Sequence, residues 1–171
     1  MKKIKKKLYS VIVLIAMLTI LPMQVMAMEP EDDSNEDSVY VCSYDLGNGL
    51  TCEVYEIAGV DICAAGTVNK TYDFNLYYAG TYFGYYRQAT SWSYDGVNRP
   101  TLLSYSNTFY STDLSNHYVS IVSHYTANEG TSSKKYNRKE KVYYNRAYIA
   151  TTNFATICDK NGNCSSLCID D

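Results

Sequence analysis

Between Thr71 and Tyr78 the chain alternates without a break: Tyr72, Phe74, Leu76 and Tyr78 share one parity, and Thr71, Asp73 and Asn75 the other. A period of two places one set on each face of a pleated strand, so the segment is predicted to be a half-buried β-strand. The same grammar recurs along the chain. Ala79-Gly80 offers a tight turn, and Thr81 to Tyr94 forms a second strand region in which Gly84 marks a bulge or bend. Asp95-Gly96 signals another turn, and Pro100 ends the loop that follows. Leu103, Tyr105 and Phe109 oppose Ser104, Ser106 and Thr108 in a third strand, and Val119, Ile121 and Tyr125 suggest a fourth. Val142 to Cys158 is a long β-prone run, and Val39–Tyr44 and Leu50–Ile57 flank the turn Gly47-Asn48-Gly49. No helical period appears beyond the N-terminal segment. Six to eight strands punctuated by turns predict an all-β domain, an antiparallel sandwich or a partly closed barrel. The 19 tyrosines suit that fold, because the ring packs on a pleated surface while the hydroxyl reaches a polar partner.

Cysteine placement adds a second constraint. Cys42, Cys52 and Cys63 open the domain, Cys158, Cys164 and Cys168 close it, and the 94 residues between Cys63 and Cys158 hold none. An even count in an exported chain implies disulfides. Either each trio pairs mostly within itself, or all three bridges run from one trio to the other. Both patterns demand at least one link between the chain ends. Closing a loop of roughly 100 residues is worth up to about 4–5 kcal/mol in the chain-entropy picture. Zinc is disfavoured because no C-x2-C knuckle is present.

Export is expected from the N-terminus. Lys2, Lys3, Lys5, Lys6 and Lys7 precede an apolar run from Leu8 to Leu21, Pro22 breaks it, and Val25-Met26-Ala27 fits a signal-peptidase site, so 1–27 is a signal peptide cleaved after Ala27. Fourteen residues span about 21 Å as a helix, short of a roughly 30 Å hydrocarbon core, so no transmembrane anchor is expected in the mature protein. Residues 28–37 hold six acids and no aromatic side chain and are predicted to be a disordered leader, followed by a single domain over 38–171. Cleavage removes five of the 15 basic residues and none of the 18 acidic ones, which takes the net charge from −3 to −8. Without the leader's six acids, the domain itself sits at −2, too balanced to draw a nucleic acid.

Motifs for catalysis are sparse. His117 and His124 lie seven apart and would face opposite sides of an unbroken strand. No G-x-S-x-G elbow, P-loop or dinucleotide fingerprint occurs, so neither an enzyme nor a cofactor is expected. Asp159-Lys160-Asn161-Gly162-Asn163 resembles the start of a calcium loop, but Cys164 and Asp170 stand where that loop needs Gly and Glu. A type I′ turn at Asn161-Gly162, bringing Cys158 near Cys164 or its neighbours, is the preferred reading, and no metal site is expected.

Two candidate contact sets remain. Tyr82, Tyr86, Trp92 and Tyr94 share parity on an unbroken strand and would form a ligand platform for a sugar if exposed, or core if buried. Lys134, Lys135, Arg138, Lys139 and Lys141, with Glu140 among them, would meet an anionic surface, or else line a solvated loop and a charged strand edge. The Ser/Thr/Tyr alternation from Ser104 to Thr126 also resembles the amphipathic hairpins of pore-forming toxins.

The run Trp92-Ser93-Tyr94-Asp95-Gly96, then Ser104-Tyr105-Ser106-Asn107-Thr108, then Ala147 to Cys158, resembles small exported β-rich proteins of Gram-positive bacteria with no assigned function. The resemblance spans about the last 100 residues and implies a secreted β-domain. The expected function is a secreted, non-enzymatic domain that binds an extracellular partner, such as a cell-wall polymer or a carbohydrate. A membrane-acting toxin and a secreted hydrolase are the alternatives.

Overall fold

The computed structural model describes residues 37–58 and 66–170. The expected signal peptide, nearly all of the expected acidic leader, and Cys63 lie outside the described residues. Nine strands and no helix make up the rest: β1 (Ser38–Asp45), β2 (Leu50–Ile57), β3 (Thr67–Tyr78), β4 (Thr81–Ser93), β5 (Thr101–Tyr110), β6 (Tyr118–Glu129), β7 (Ser133–Tyr144), β8 (Ala147–Asp159) and β9 (Cys164–Asp170). They form two antiparallel meanders, sheet A in the order β1-β2-β3-β4-β5 and sheet B in the order β6-β7-β8-β9. The sheets face each other as a sandwich and are not closed into a barrel.

The alternation explains the core. Tyr72, Phe74 and Leu76 of β3 point inward with Leu50, Cys52 and Val54 of β2, and all six are buried. Sheet B answers with Val142, Ala150 and Phe154. Phe154 is the central contact: its ring stacks on Tyr86 at 4.3 Å and meets Phe74 edge-on at 5.2 Å. Each such ring contributes about 2–3 kcal/mol by leaving water. A second cluster gathers Trp92, Val68, Tyr136 and Cys158. Between the clusters runs a buried polar thread: Gln88 donates to the Phe154 carbonyl at 3.3 Å and accepts from Thr156 at 2.8 Å.

Turn chemistry shapes the hairpins. Ala79 and Gly80 both take positive φ, 48° and 78°, as a type I′ turn requires. Asn145 and Arg146 do the same at 49° and 63°. This second turn divides the β-prone run Val142–Cys158 into the end of β7 and the whole of β8 up to Cys158. The two hairpins also share a defect. The register slips after Leu76 and again after Val142, leaving Phe83 and Ile149 as bulged residues. The segments Leu76-Tyr77-Tyr78-x-x-x-Tyr82-Phe83-Gly84 and Val142-Tyr143-Tyr144-x-x-x-Tyr148-Ile149-Ala150 therefore repeat one device, with Tyr77 and Tyr143 as equivalents, one in each sheet. Their rings meet across the core, Tyr78 lying 5.0 Å from Tyr144.

Other expectations shift. Leu103 is a bulged, exposed residue of β5, and Leu102 takes its place beside Trp92. Asn161 keeps negative φ and only Gly162 is left-handed, so β8 and β9 join through a type I turn closed by the Gly162 N–H to the Asp159 carbonyl at 3.1 Å, where a type I′ turn was expected. That turn does set Cys158 opposite Cys164, and the two form a disulfide. A bridge inside the C-terminal trio excludes the pattern in which all three bridges join the two trios. The basic stretch Lys134–Lys141 is the interior strand β7, neither a loop nor an edge. β5 and β6 belong to different sheets, so the Ser104–Thr126 stretch forms no hairpin.

Candidate binding face

The outward face of sheet A is paved with tyrosine. Two bulges decide which rings reach it. The register slip at Val41 turns Tyr40 outward opposite Tyr55 and Cys42 inward opposite Val54. The slip at Phe83 leaves Tyr82 outward beside Tyr77 while Tyr86 points into the core. Tyr85 and Tyr110, paired across β4 and β5, complete the set.

These six rings come in three pairs. Tyr40 and Tyr55 meet edge-on at 5.6 Å, Tyr77 and Tyr82 at 5.5 Å, and Tyr85 stacks on Tyr110 at 4.7 Å. Charged groups pin them. Both Tyr55 and Tyr77 hydroxyls donate to Glu53 Oε2, at 3.1 and 2.9 Å. Arg87 lies over the Tyr85 and Tyr110 rings, 5.4 and 5.9 Å from their centroids. Its guanidinium grips both oxygens of Asp73, at 2.8 and 2.9 Å, in the bidentate form that fixes orientation. Burial and the adjoining Glu53 carboxylate push the Tyr77 hydroxyl up to about 12. Burial, with a smaller contribution from Asp73, pushes Tyr85 up to about 12 against the pull of Arg87. At neutral pH both are uncharged phenols, able to donate as well as accept. A shallow groove lined by Asn69, Thr71, Ser91, Ser104 and Ser106 continues the face toward the opposite end of β4.

The expected platform is thus divided. Tyr86 and Trp92 are wholly buried, Tyr94 packs beside the second core cluster, and only Tyr82 belongs to the outer face. The reason is the bulge, which reverses parity after Tyr82. Tyr40, Tyr55, Tyr77, Tyr85, Tyr110 and Arg87 went unmarked in the sequence, although Gly84 beside the bulge was the clue.

The basic set divides in the same way. Lys135, Lys139 and Lys141 share the outer face of sheet B with Tyr118, Tyr143 and Tyr148, whereas Lys134 and Arg138 carry inward parity. Lys135 pairs with Glu129 at 3.1 Å and Arg138 with Glu140 at 2.6 Å. Tyr118 stacks on Tyr143 at 4.6 Å. The histidines lie apart: His117 stacks on Tyr144 at 4.5 Å, and His124 lies 5.6 Å from Tyr105. Among the described residues no group of three or more His, Cys, Asp or Glu is placed to hold a metal ion. Asp159 spends its carboxylate on the turn, accepting from the Asn161 and Asn163 N–H groups at 2.8 and 2.9 Å.

In comparisons with known proteins, no family model matches the chain, nor does any curated protein or solved structure.

Proposed function

We propose that the protein is an exported, non-catalytic β-sandwich that binds an extracellular or cell-wall carbohydrate on the outer face of sheet A. The observation carrying this reading is the row of paired tyrosines held by Glu53, Asp73 and Arg87. Sugar rings present flat C–H faces that stack on aromatic rings, and their hydroxyls need donors and acceptors fixed nearby. Tyr40, Tyr82 and Tyr110 are 54%, 48% and 42% exposed, a concentration of aromatic surface on a single sheet that marks an interaction site. The lysine-rich N-terminus and the site after Ala27 support delivery outside the cell.

The test is co-sedimentation of the mature chain with insoluble polysaccharides and purified cell-wall sacculi. Replacing Tyr82, Tyr85 and Tyr110 together by Ala removes roughly 1 kcal/mol per ring, so affinity is expected to fall on the order of 100-fold. Undiminished binding by a folded triple variant refutes the reading. A second reading rests on Lys135, Lys139 and Lys141 beside the Tyr118–Tyr143 stack, which suit an anionic wall polymer. Binding that falls steeply with salt and is lost in a Lys139→Glu/Lys141→Glu variant favours that face instead.

A further inference from the structure

Three thiols gather where the two sheets meet. Cys42 of β1, Cys52 of β2 and Cys168 of β9 belong to one core cluster, Cys52 and Cys168 fully buried and Cys42 partly so. The first two come from sheet A and the third from sheet B, across a chain separation that spans nearly the whole domain. The neighbourhood is tight. Tyr44 donates to the Ser166 carbonyl at 3.4 Å, and a Cβ on Gly47 would sit 3.7 Å from the Asp170 carboxylate, so β9 runs directly against the β1–β2 hairpin.

We propose that Cys52 and Cys168 form a disulfide in the oxidised protein, joining sheet A to sheet B through the middle of the core. Register eliminates one competitor. Cys42 faces Val54 and Cys52 faces Tyr44, so the two early cysteines are diagonal neighbours. Diagonal side chains in an antiparallel pair stand about 7–8 Å apart, beyond the roughly 4 Å between Cβ atoms that a disulfide tolerates. Burial separates the remaining pairs. Cys52 and Cys168 are both wholly enclosed in the shared cluster, whereas Cys42 is only partly covered. Burial and the neighbouring Cys52 push the Cys168 thiol up. Chemically, each thiol gives up one proton and one electron. A disulfide oxidant accepts both electrons and leaves as two thiols, one through a mixed disulfide and one on its resolution. With Cys158–Cys164 already bonded, each core cluster then holds one cross-link.

Peptide mapping settles the pairing. The mature chain is refolded with glutathione disulfide, its free thiols are alkylated, and it is digested without reduction at acidic and basic residues. Asp45 and Glu53 separate Cys42, Cys52 and Cys63 into different peptides. Cys164 and Cys168 share the peptide 161–170, so the expected product is that peptide joined to both the Cys158 and the Cys52 peptides, with fragmentation between Ser165 and Leu167 placing the Cys52 link on Cys168; it is present in wild type and in Cys42→Ser, and absent in Cys52→Ser. Should Cys52→Ser not fold, the wild-type and Cys42→Ser maps decide alone. Alkylated Cys168 in the oxidised wild type, or Cys168 joined to any other cysteine, overturns the assignment.

Discussion

Gly84 is the point at which the outer tyrosine face of sheet A depends most on one missing side chain. It follows the bulge at Phe83, with φ of 156°, and edge strand β5 passes directly over it. A Cβ there would lie under 3.0 Å from the Tyr110 carbonyl oxygen, and 2.9 Å from Cζ of Phe109. The carbonyl belongs to the backbone, so relief requires β5 to retreat by about 1 Å rather than a rotamer change. That retreat weakens one or two ladder bonds at about 1 kcal/mol each, and forced overpacking adds roughly 1–3 kcal/mol. Gly84→Ala is therefore expected to cost about 3 kcal/mol. In a urea titration with a slope near 2 kcal/mol/M, the midpoint should fall by about 1.5 M. Gly80→Ala is the control. Gly80 also has positive φ, 78°, yet nothing lies within 4 Å of its added Cβ, so only the backbone strain of roughly 1 kcal/mol is paid there. Loss of stability in Gly84→Ala no larger than in Gly80→Ala would refute the claim that close approach of β5 is what requires glycine. Because Tyr110 moves with its carbonyl, Gly84→Ala should also weaken the proposed glycan binding at temperatures where it remains folded.

Glu140 is buried in β7, and its carboxyl sits above the ordinary value of 4.5 because burial outweighs the help of Arg138. Its folded form thus holds a proton more readily than its unfolded form, a contribution present below 4.5 and lost as pH rises through the folded-state value. Stability measured by urea at pH 4.5 and at pH 7.5 should show this slope in wild type relative to Glu140→Gln; identical pH profiles would contradict it. The exposed carboxylates work the other way: hydrogen bonds from Asn163 hold Asp159 below its usual range, so the turn it closes should loosen in acid, read by NMR of the Asn161 and Asn163 amides. Replacing Cys158 and Cys164 together by Ser should cost about 2 kcal/mol, because the loop closed by a separation of 6 is short, and calorimetry under oxidising conditions measures it.

Much of the sandwich could be read from alternation alone. Tyr72, Phe74 and Leu76 against Asp73 and Asn75 announced both the strand and its buried face, and Ala79-Gly80 announced the turn. The hairpin at Asn145-Arg146 was hidden because an arginine at φ 63° carries no turn signal of its own. Comparison with the segment around Tyr77, Tyr78 and Tyr82 would have exposed it. Tyr82 parted from Tyr86 and Trp92, which do lie in the core, for a different reason. A parity argument assumes an unbroken pleat, and one extra residue at Phe83 exchanges the faces, burying Tyr86 and Trp92 and presenting Tyr85. The basic stretch looked solvated because composition does not reveal that Arg138 pairs with Glu140 Oε1 on the inward side of β7.

The single tryptophan, Trp92, is fully buried, and Cys158 and Cys164 pack in its cluster. Sulfur–sulfur bonds are efficient quenchers of an excited indole. The native, oxidised protein should therefore emit dimly and in the blue, brightening when Cys158–Cys164 is reduced and shifting to the red only when the strands separate. A sugar landing on the far side of sheet A would leave that glow untouched, giving an optical readout of integrity that is blind to occupancy.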